Sequence, residues 1–461
     1  MFLATFAVFY WGILNISFKF VEKPVIAFPF LTHLKIEKMK IKTLHLQNFR
    51  GFEDLTIKFP EDNVAVFIGE NGAGKSAILD AIGVLFSQII AKSIRQAFGT
   101  TKKPDIILNY EDIKLGANKC DLKVNTIHDF NIRSNYFLTF PSNGKKQEED
   151  DALIKYLSEK LQVSEEAVPV FAFYQSERIV SKLWDRGSVS QTQLSQSAVY
   201  RNIFRTNFFY FDDFFRWFEA EESYEDKIRL EGDFNYRNPK LEVVRQALES
   251  FLQKLSNTSF SNLKVKKDRK GYLDTISSSL TISKNGKELS ISQLSTGEKT
   301  LMLMVVDIAM RMSIANSGSR SLYGKGIVLI DEIDLHLHPQ WQRDVIPALT
   351  ATFPNIQFIV TTHSPQVLSK VKRENIFILD DGKLMDNNPY TYGRDVAAIL
   401  YEVFGVEARP KDIQKRLNEC FRLLENEKFD KATQIIKELT TILGENDVDV
   451  MRAKLELELN V

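Results

Sequence analysis

From residue 39 onward the apolar positions come in short runs whose spacing changes along the chain. Ile41, Leu44 and Leu46, followed by Leu55, Ile57 and Phe59, mark two strands, and the unbroken run Val64–Ile68 marks a strand of the fully buried kind. The period then lengthens: Ile78, Leu79, Ala81, Ile82, Leu85 and Phe86 fall at helical spacing. Far downstream, Ile327–Ile330 and Ile356–Val360 repeat the buried-strand pattern, and an amphipathic helix is expected over Leu301–Met312 ahead of them. Between these blocks, helices are expected over Glu148–Leu161, Asn207–Arg229 and Pro239–Leu255, with a hairpin turn at Asn285-Gly286. No heptad pattern is sustained there, so no long coiled-coil arms are expected. Lys411–Glu425, Phe429–Leu443 and Val448–Leu459 read as closing helices.

Composition narrows the class. Hydrophobic residues at 44% and charged residues at 26% exclude a disordered chain and a polytopic membrane protein. Sixty Lys plus Arg balance sixty Asp plus Glu, so any nucleic-acid contact must be a local patch. Cys120 and Cys420 are too far apart in sequence for a disulfide framework or a cysteine-based zinc site, which makes a cytoplasmic setting the expectation. The stretch Phe2–Phe18 carries no charge and is short for a membrane span. Residues 1–38 read as an extension outside the chemistry, with a weak membrane anchor as the alternative.

The strand Val64–Ile68 feeds into Gly69-Glu-Asn71-Gly72-Ala-Gly74-Lys75-Ser76 and then into the helix, which is GxxxxGK[ST] in strand, loop, helix order. Gly69, Asn71, Gly72 and Gly74 let backbone N–H groups wrap phosphates at a helix N-terminus. Lys75 is placed to reach the β and γ phosphates, and Ser76 to bind Mg²⁺. ATP or GTP is the expected ligand. Ile327–Ile330 ends in Asp331-Glu332, the place where such a fold holds its metal shell (Asp331) and a general base (Glu332). Ile356–Val360 ends in Thr361-Thr362-His363-Ser364-Pro365, which makes His363 a candidate γ-phosphate contact. Leu294-Ser295-Thr-Gly297-Glu298-Lys299 precedes the Leu301 helix, and its plain reading is a capping box between Ser295 and Glu298.

In this order, the phosphate loop, a long insertion, LSTGEK, the acidic strand end and TTHSP resemble the ABC-type ATPases. The likeness is to their SMC-like branch of RecF-like repair and OLD-type defence ATPases. Leu46-Gln-Asn48-Phe49-Arg50-Gly51-Phe52 matches the opening motif of that branch. Gly326–Gln342 joined to Phe358–Pro365 is similar to the PtuA-type ATPases of the Septu anti-phage system and their retron-associated relatives. The resemblance implies an α/β fold, a P-loop NTPase of ABC type: a mixed sheet with an antiparallel lobe, a helical insertion and a helical C-terminal tail. Residues 39–400 would form the ATPase domain, with the insertion at about 87–290 (helical at about 145–260) and the tail at 401–461. It further implies ATP and Mg²⁺ as cofactors and a homodimer or higher homo-oligomer closing around two ATP. Ser295, Gly297 and Glu298 of one copy would then meet the nucleotide held by Lys75 of the other. Asp334 would lie near that seam, Gln175 would serve as the Q-loop residue, and Arg50 would border the nucleotide. A separate effector nuclease is the implied partner, with DNA or another nucleic acid as a further candidate and no membrane complex.

The remaining features have plainer readings. The aromatic helix from Phe208 to Phe218 reads as core or subunit contact, and the run Lys264, Lys266, Lys267, Arg269, Lys270 as a solvated hairpin edge. His336 and His338 with Asp334 could ligate a metal, but a structural role is expected. Neither Asp380-Asp381 nor Asp447 with Asp449 makes the carboxylate cluster of an OLD-type nuclease domain, so no nuclease is expected in the chain itself. Beside the effector-controlling ATPase stand two other classes: a RecF-like repair ATPase that binds DNA under ATP control, and a non-hydrolysing scaffold, against which Glu332 argues.

Overall fold

The computed structural model describes residues 39–461 apart from 130, 142–151, 164–165, 177–195, 202, 205–210, 256–258, 271–274, 317–320, 408 and 461. The apolar segment within residues 1–38 and the aromatic residues Phe208, Phe209 and Tyr210 lie outside the described residues.

Strands β1 (Met39–Phe49) and β2 (Phe52–Lys58) pair antiparallel, and β4 (Cys120–His128) and β5 (Ile132–Phe140) widen them into a four-stranded sheet of order β2-β1-β4-β5. Ile41, Leu44 and Leu46 are all fully buried although the first two are not an even number of residues apart. A register shift between Ile41 and Thr43 in the β1–β4 ladder resets the alternation and keeps all three on the core face.

The second sheet positions the chemistry. Strands β12 (Ile376–Asp380), β3 (Val64–Gly69), β11 (Ile356–Thr361), β10 (Gly326–Ile330) and β6 (Val170–Tyr174) run parallel in that spatial order. The short β13 (Lys383–Leu384) adds an antiparallel edge. Helix α1 (Lys75–Phe98) follows β3 and buries Ile78, Leu79, Ile82, Leu85 and Phe86, each such side chain contributing about 1.5–3 kcal/mol of apolar burial. Among the described residues α1 alone is long and apolar enough to cross a membrane, and 78% of its apolar window is buried inside the fold, as befits a core helix.

The stretch 87–290 is not a detached insertion. It supplies β4 and β5 to the lobe and β6 to the parallel sheet, together with α2 (Ala152–Gln162), α3 (Phe211–Leu230), α4 (Pro239–Leu255) and a third sheet. That sheet consists of β7 (Phe260–Lys270), β8 (Thr275–Lys284) and β9 (Lys287–Ser290), turned at Asn285 (φ 50°) and Gly286 (φ 77°). Lys264 faces Glu288 across the hairpin at 2.6 Å, and Lys267 reaches Ser223 at 3.3 Å, so two of the lysines have partners nearby. On α3, Phe214, Trp217 and Phe218 are buried, which makes them core.

Helix α5 (Thr296–Ala315) packs on α4 and β6, while α6 (Pro339–Thr352) follows β10, α7 (Pro365–Leu368) follows β11 and α8 (Val396–Phe404) comes after β13. The last helices, α9 (Lys411–Glu425), α10 (Phe429–Leu443) and α11 (Val448–Asn460), enclose a small core of their own around Leu417, Cys420, Ile436 and Val450. Both cysteines are buried and free.

Candidate functional site

The phosphate loop leaves β3 at Gly69, where an added Cβ would stand 2.3 Å from the carbonyl oxygen of Leu379 on β12, so only glycine fits. Gly72 (φ 86°) and Gly74 (φ 100°) carry the left-handed turns that follow Asn71. Helix α1 begins at Lys75 with no acidic residue in its first turn, which leaves the positive end of the helix open to an anion. Lys75 Nζ donates to the carbonyls of Gly69 at 3.0 Å and Glu70 at 2.8 Å. Burial holds its ammonium below the usual range, against the pull of Asp331, Glu332 and Asp334.

Asp331 continues β10 directly, its N–H donating to Tyr174 of β6 at 2.8 Å. Ser76 Oγ donates to Asp331 Oδ2 at 2.9 Å, with Oδ1 at 3.1 Å. A hydroxyl and one carboxylate at the mouth of a phosphate loop suit Mg²⁺, a hard cation held by one or two carboxylates and the substrate's own phosphates. Glu332 takes a left-handed backbone (φ 47°), and its N–H donates to Thr361 Oγ1 at 2.7 Å. Thr361 Oγ1 in turn donates to Asp331 Oδ1 at 2.6 Å, while Thr362 Oγ1 donates to Asp334 Oδ1 at 2.5 Å. Neither threonine was assigned a role in the sequence. The available signal was two consecutive hydroxyl residues directly after the apolar run Phe358–Val360.

His363 follows them, half-buried. Burial and the nearby Lys75 charge hold its imidazole below the usual range although Asp334, Glu332 and Asp331 pull the other way. Strands β3, β11 and β10 are parallel neighbours, so the phosphate loop, His363 and the Asp331-Glu332 pair all follow strand ends at the same edge of the sheet. His338 caps α6, its Nδ1 accepting from Gln340 N at 3.4 Å, and among the described residues no group of three His, Cys, Asp or Glu side chains is arranged to hold a metal.

Ser295 caps α5 in a full capping box: its hydroxyl accepts from Glu298 N at 3.3 Å, and Glu298 Oε2 accepts from Ser295 N at 2.9 Å. Glu298 also meets Lys284 Nζ at 2.7 Å. Burial pushes its carboxyl up, but Lys284 and Ser295 bring it below the usual range. An added Cβ on Gly297 would stand 2.2 Å from the carbonyl oxygen of His336, so the start of α5 packs directly on the turn that follows Asp331 and Glu332. Ser295 itself is exposed. Gln175 follows the residue paired with Ile330, so it lies at the carboxyl edge one strand from Asp331. Arg50 Nε donates to Asp112 at 2.9 Å and Nη1 to Asp80 at 2.5 Å, one helical turn beyond Ser76 on α1.

Residues 64–369 match the family described as "AAA domain, putative AbiEii toxin, Type IV TA system". The chain belongs to this family. Within the AAA-domain proteins it is 30% identical to the "Retron Ec83 probable ATPase" of Escherichia coli, over 92% of this chain and 88% of that one. It is 32% identical to the "Retron Vc95 probable ATPase" of Vibrio cholerae serotype O1 biovar El Tor, over 79% and 78%. Identity to the "Septu protein PtuA" of Bacillus thuringiensis is 23%, over 87% and 94%. With its phosphate loop between β3 and α1 at the carboxyl edge of a parallel sheet, the chain has the α/β arrangement of a P-loop NTPase, to which the antiparallel lobe is added.

Proposed function

We propose that the chain binds ATP with Mg²⁺, pairs head to tail with a second copy around two nucleotides, hydrolyses them, and by that cycle controls a separate effector nuclease in anti-phage defence. The observation that carries this reading is the convergence of Lys75, Ser76, Asp331 and Glu332 at the carboxyl edge of one parallel sheet, tied by the Ser76–Asp331 hydrogen bond. Glycine turns and the α1 N-terminus bind the phosphates, and Lys75 Nζ turns from the Gly69 and Glu70 carbonyls to phosphate oxygens. Ser76 and Asp331 would hold Mg²⁺, which when bound neutralises phosphate charge. Glu332 Oε accepts the proton of the attacking water, and His363 donates from its neutral ring to the γ-phosphate. The exposed Ser295 and the N–H groups at the head of α5 offer the second copy's contribution. The retron and Septu relatives support the defence setting.

The test pairs two variants. Lys75→Ala is expected to abolish ATP binding, and Glu332→Gln to retain binding while hydrolysis falls by about 100-fold or more, in line with the loss of a general base. Turnover of Glu332→Gln close to that of the unmodified chain would overturn the assignment.

A further inference from the structure

Thr361 Oγ1 is in hydrogen-bond contact with both members of the Asp331-Glu332 pair, and its residue is fully buried. Its backbone is held by the sheet, where β11 lies between β10 and β3 and Thr361 is paired with Phe67. Its carbonyl also accepts from Ile333 N at 3.0 Å, so strand and loop are joined at this residue by main chain as well as side chain.

A hydroxyl has one hydrogen, and its use here is dictated. Glu332 N–H can only donate, so Oγ1 accepts there at 2.7 Å, and its own hydrogen goes to Asp331 Oδ1 at 2.6 Å. Occupying Oδ1 in this way fixes the rotation of the carboxylate and turns Oδ2 toward Ser76 Oγ, 2.9 Å away. Holding the Glu332 amide stabilises the left-handed backbone from which that side chain projects, a conformation a residue other than glycine adopts only under local constraint. We infer that Thr361 is a positioning residue that sets, through one hydroxyl, both the metal-binding rotation of Asp331 and the backbone of the base Glu332. Fully buried, it acts through its two neighbours.

The inference rests on the proposed ATPase reading, and the experiment separates the two. Binding of a fluorescent ATP analogue is titrated with and without Mg²⁺, alongside steady-state hydrolysis, for the unmodified chain, Thr361→Val and Thr361→Ser. Valine keeps the shape and removes both hydrogen bonds, and serine keeps the hydroxyl. Thr361→Val is expected to bind the analogue in the absence of Mg²⁺ as the unmodified chain does. The Mg²⁺ concentration that half-tightens binding should rise, and kcat should fall, each by about 10- to 100-fold, the usual cost of losing a group that orients a metal ligand. Thr361→Ser should restore both to within about threefold, since the hydroxyl is retained. An unchanged Mg²⁺ titration in Thr361→Val, or a serine variant as impaired as valine, would overturn the inference. Absence of binding and hydrolysis in the unmodified chain would instead overturn the ATPase reading. Should circular dichroism show Thr361→Val unfolded, Thr361→Ala is read against Thr361→Ser by the same rule.

Discussion

A Cβ on Gly74 would stand 2.5 Å from Cζ of Phe52, so the ring that ends the sequence NFRGF fills the space a side chain at the head of the phosphate loop would need. The antiparallel lobe is thereby docked on the nucleotide-binding loop. The same turn sends Arg50 to Asp80 on α1 and to Asp112, and it is shaped by Asn48 (φ 51°) and Arg50 (φ 49°), both left-handed. That backbone costs roughly 1–2 kcal/mol per residue. At Arg50 it is offset by the hydrogen bond from its N–H to Asp112 O at 2.8 Å and by its two carboxylate partners.

Removing the ring should weaken both the fold and the loop. Phe52→Ala is expected to lower the unfolding free energy by about 3–5 kcal/mol in a denaturant titration, as for other buried aromatics cut to alanine. Gly74→Ala alone should impair ATP binding, because the new methyl meets the ring and φ 100° disfavours it. In the double variant the ring no longer obstructs the methyl, so the two costs should sum to less than their separate values. Strict additivity would show that the contact does not couple lobe and loop.

Much of this site was legible because its chemistry is local in sequence: Gly69 to Ser76, Asp331-Glu332 and His363 each follow a buried run and land together at one sheet edge. Helices α4, α9 and α10 were also readable to their ends, since Pro239, Pro410 and Gly444 punctuate them. What escaped depended on contacts between distant segments. Nothing near Thr361 announces a bond to Glu332, and nothing in NFRGF announces that Phe52 meets Gly74. The strands β4 and β5 were hidden inside what read as an insertion, because β4 finds its partner in the distant β1 and β5 joins the sheet only through β4. Ser295 and Glu298 supported two readings, and the capping box is present; an exposed cap at a helix N-terminus leaves room for the second role.

His363 should make stability fall in mild acid. Burial and Lys75 hold its folded-state value below 6.5, so in the window just under pH 6.5 the unfolded chain binds more protons and stability rises with pH. Above that window the contribution is constant. Thermal melts of the unmodified chain should therefore drop as pH falls from about 7 toward about 5.5, and His363→Gln should flatten that part of the slope. An identical slope in both proteins would assign the acid sensitivity to other groups.

Composite sites can be detected by mixing. Ser295→Arg should leave nucleotide binding by one copy intact and stop hydrolysis, because the bulky cation stands where a second nucleotide must close. Lys75→Ala fails in the opposite half of the site. Combined, the two should recover roughly the activity of one composite site, since correct positioning is restored in one of two places. No recovery from a mixture of folded proteins would argue against a site shared between copies.

Incubated with plasmid, linear duplex or transfer RNA, with Mg²⁺ or Mn²⁺ and ATP, the purified chain is expected to leave every substrate intact, so that toxicity in cells requires the effector. Strand cleavage by metals needs carboxylates or histidines converging on one or two ions. Several acids of the tail and of α3 are paired with other groups. Arg409 Nη2 donates to Asp447 at 2.9 Å and to Asp449 at 2.7 Å, joining the start of α11 to the segment before α9. On α3, Glu219 accepts from Ser278 at 2.6 Å, Glu221 pairs with Lys240 at 2.9 Å, and Glu222 accepts from Val265 N at 2.8 Å, so these carboxylates fasten the helix to its neighbours. Asp380 and Asp381 are exposed at the β12–β13 turn, where Asp381 takes a left-handed backbone (φ 41°) suited to the turn itself. Cleavage that persists in Lys75→Ala and disappears when Asp380 and Asp381 are replaced by asparagine would locate a nuclease site at that turn and remove the need for a separate effector.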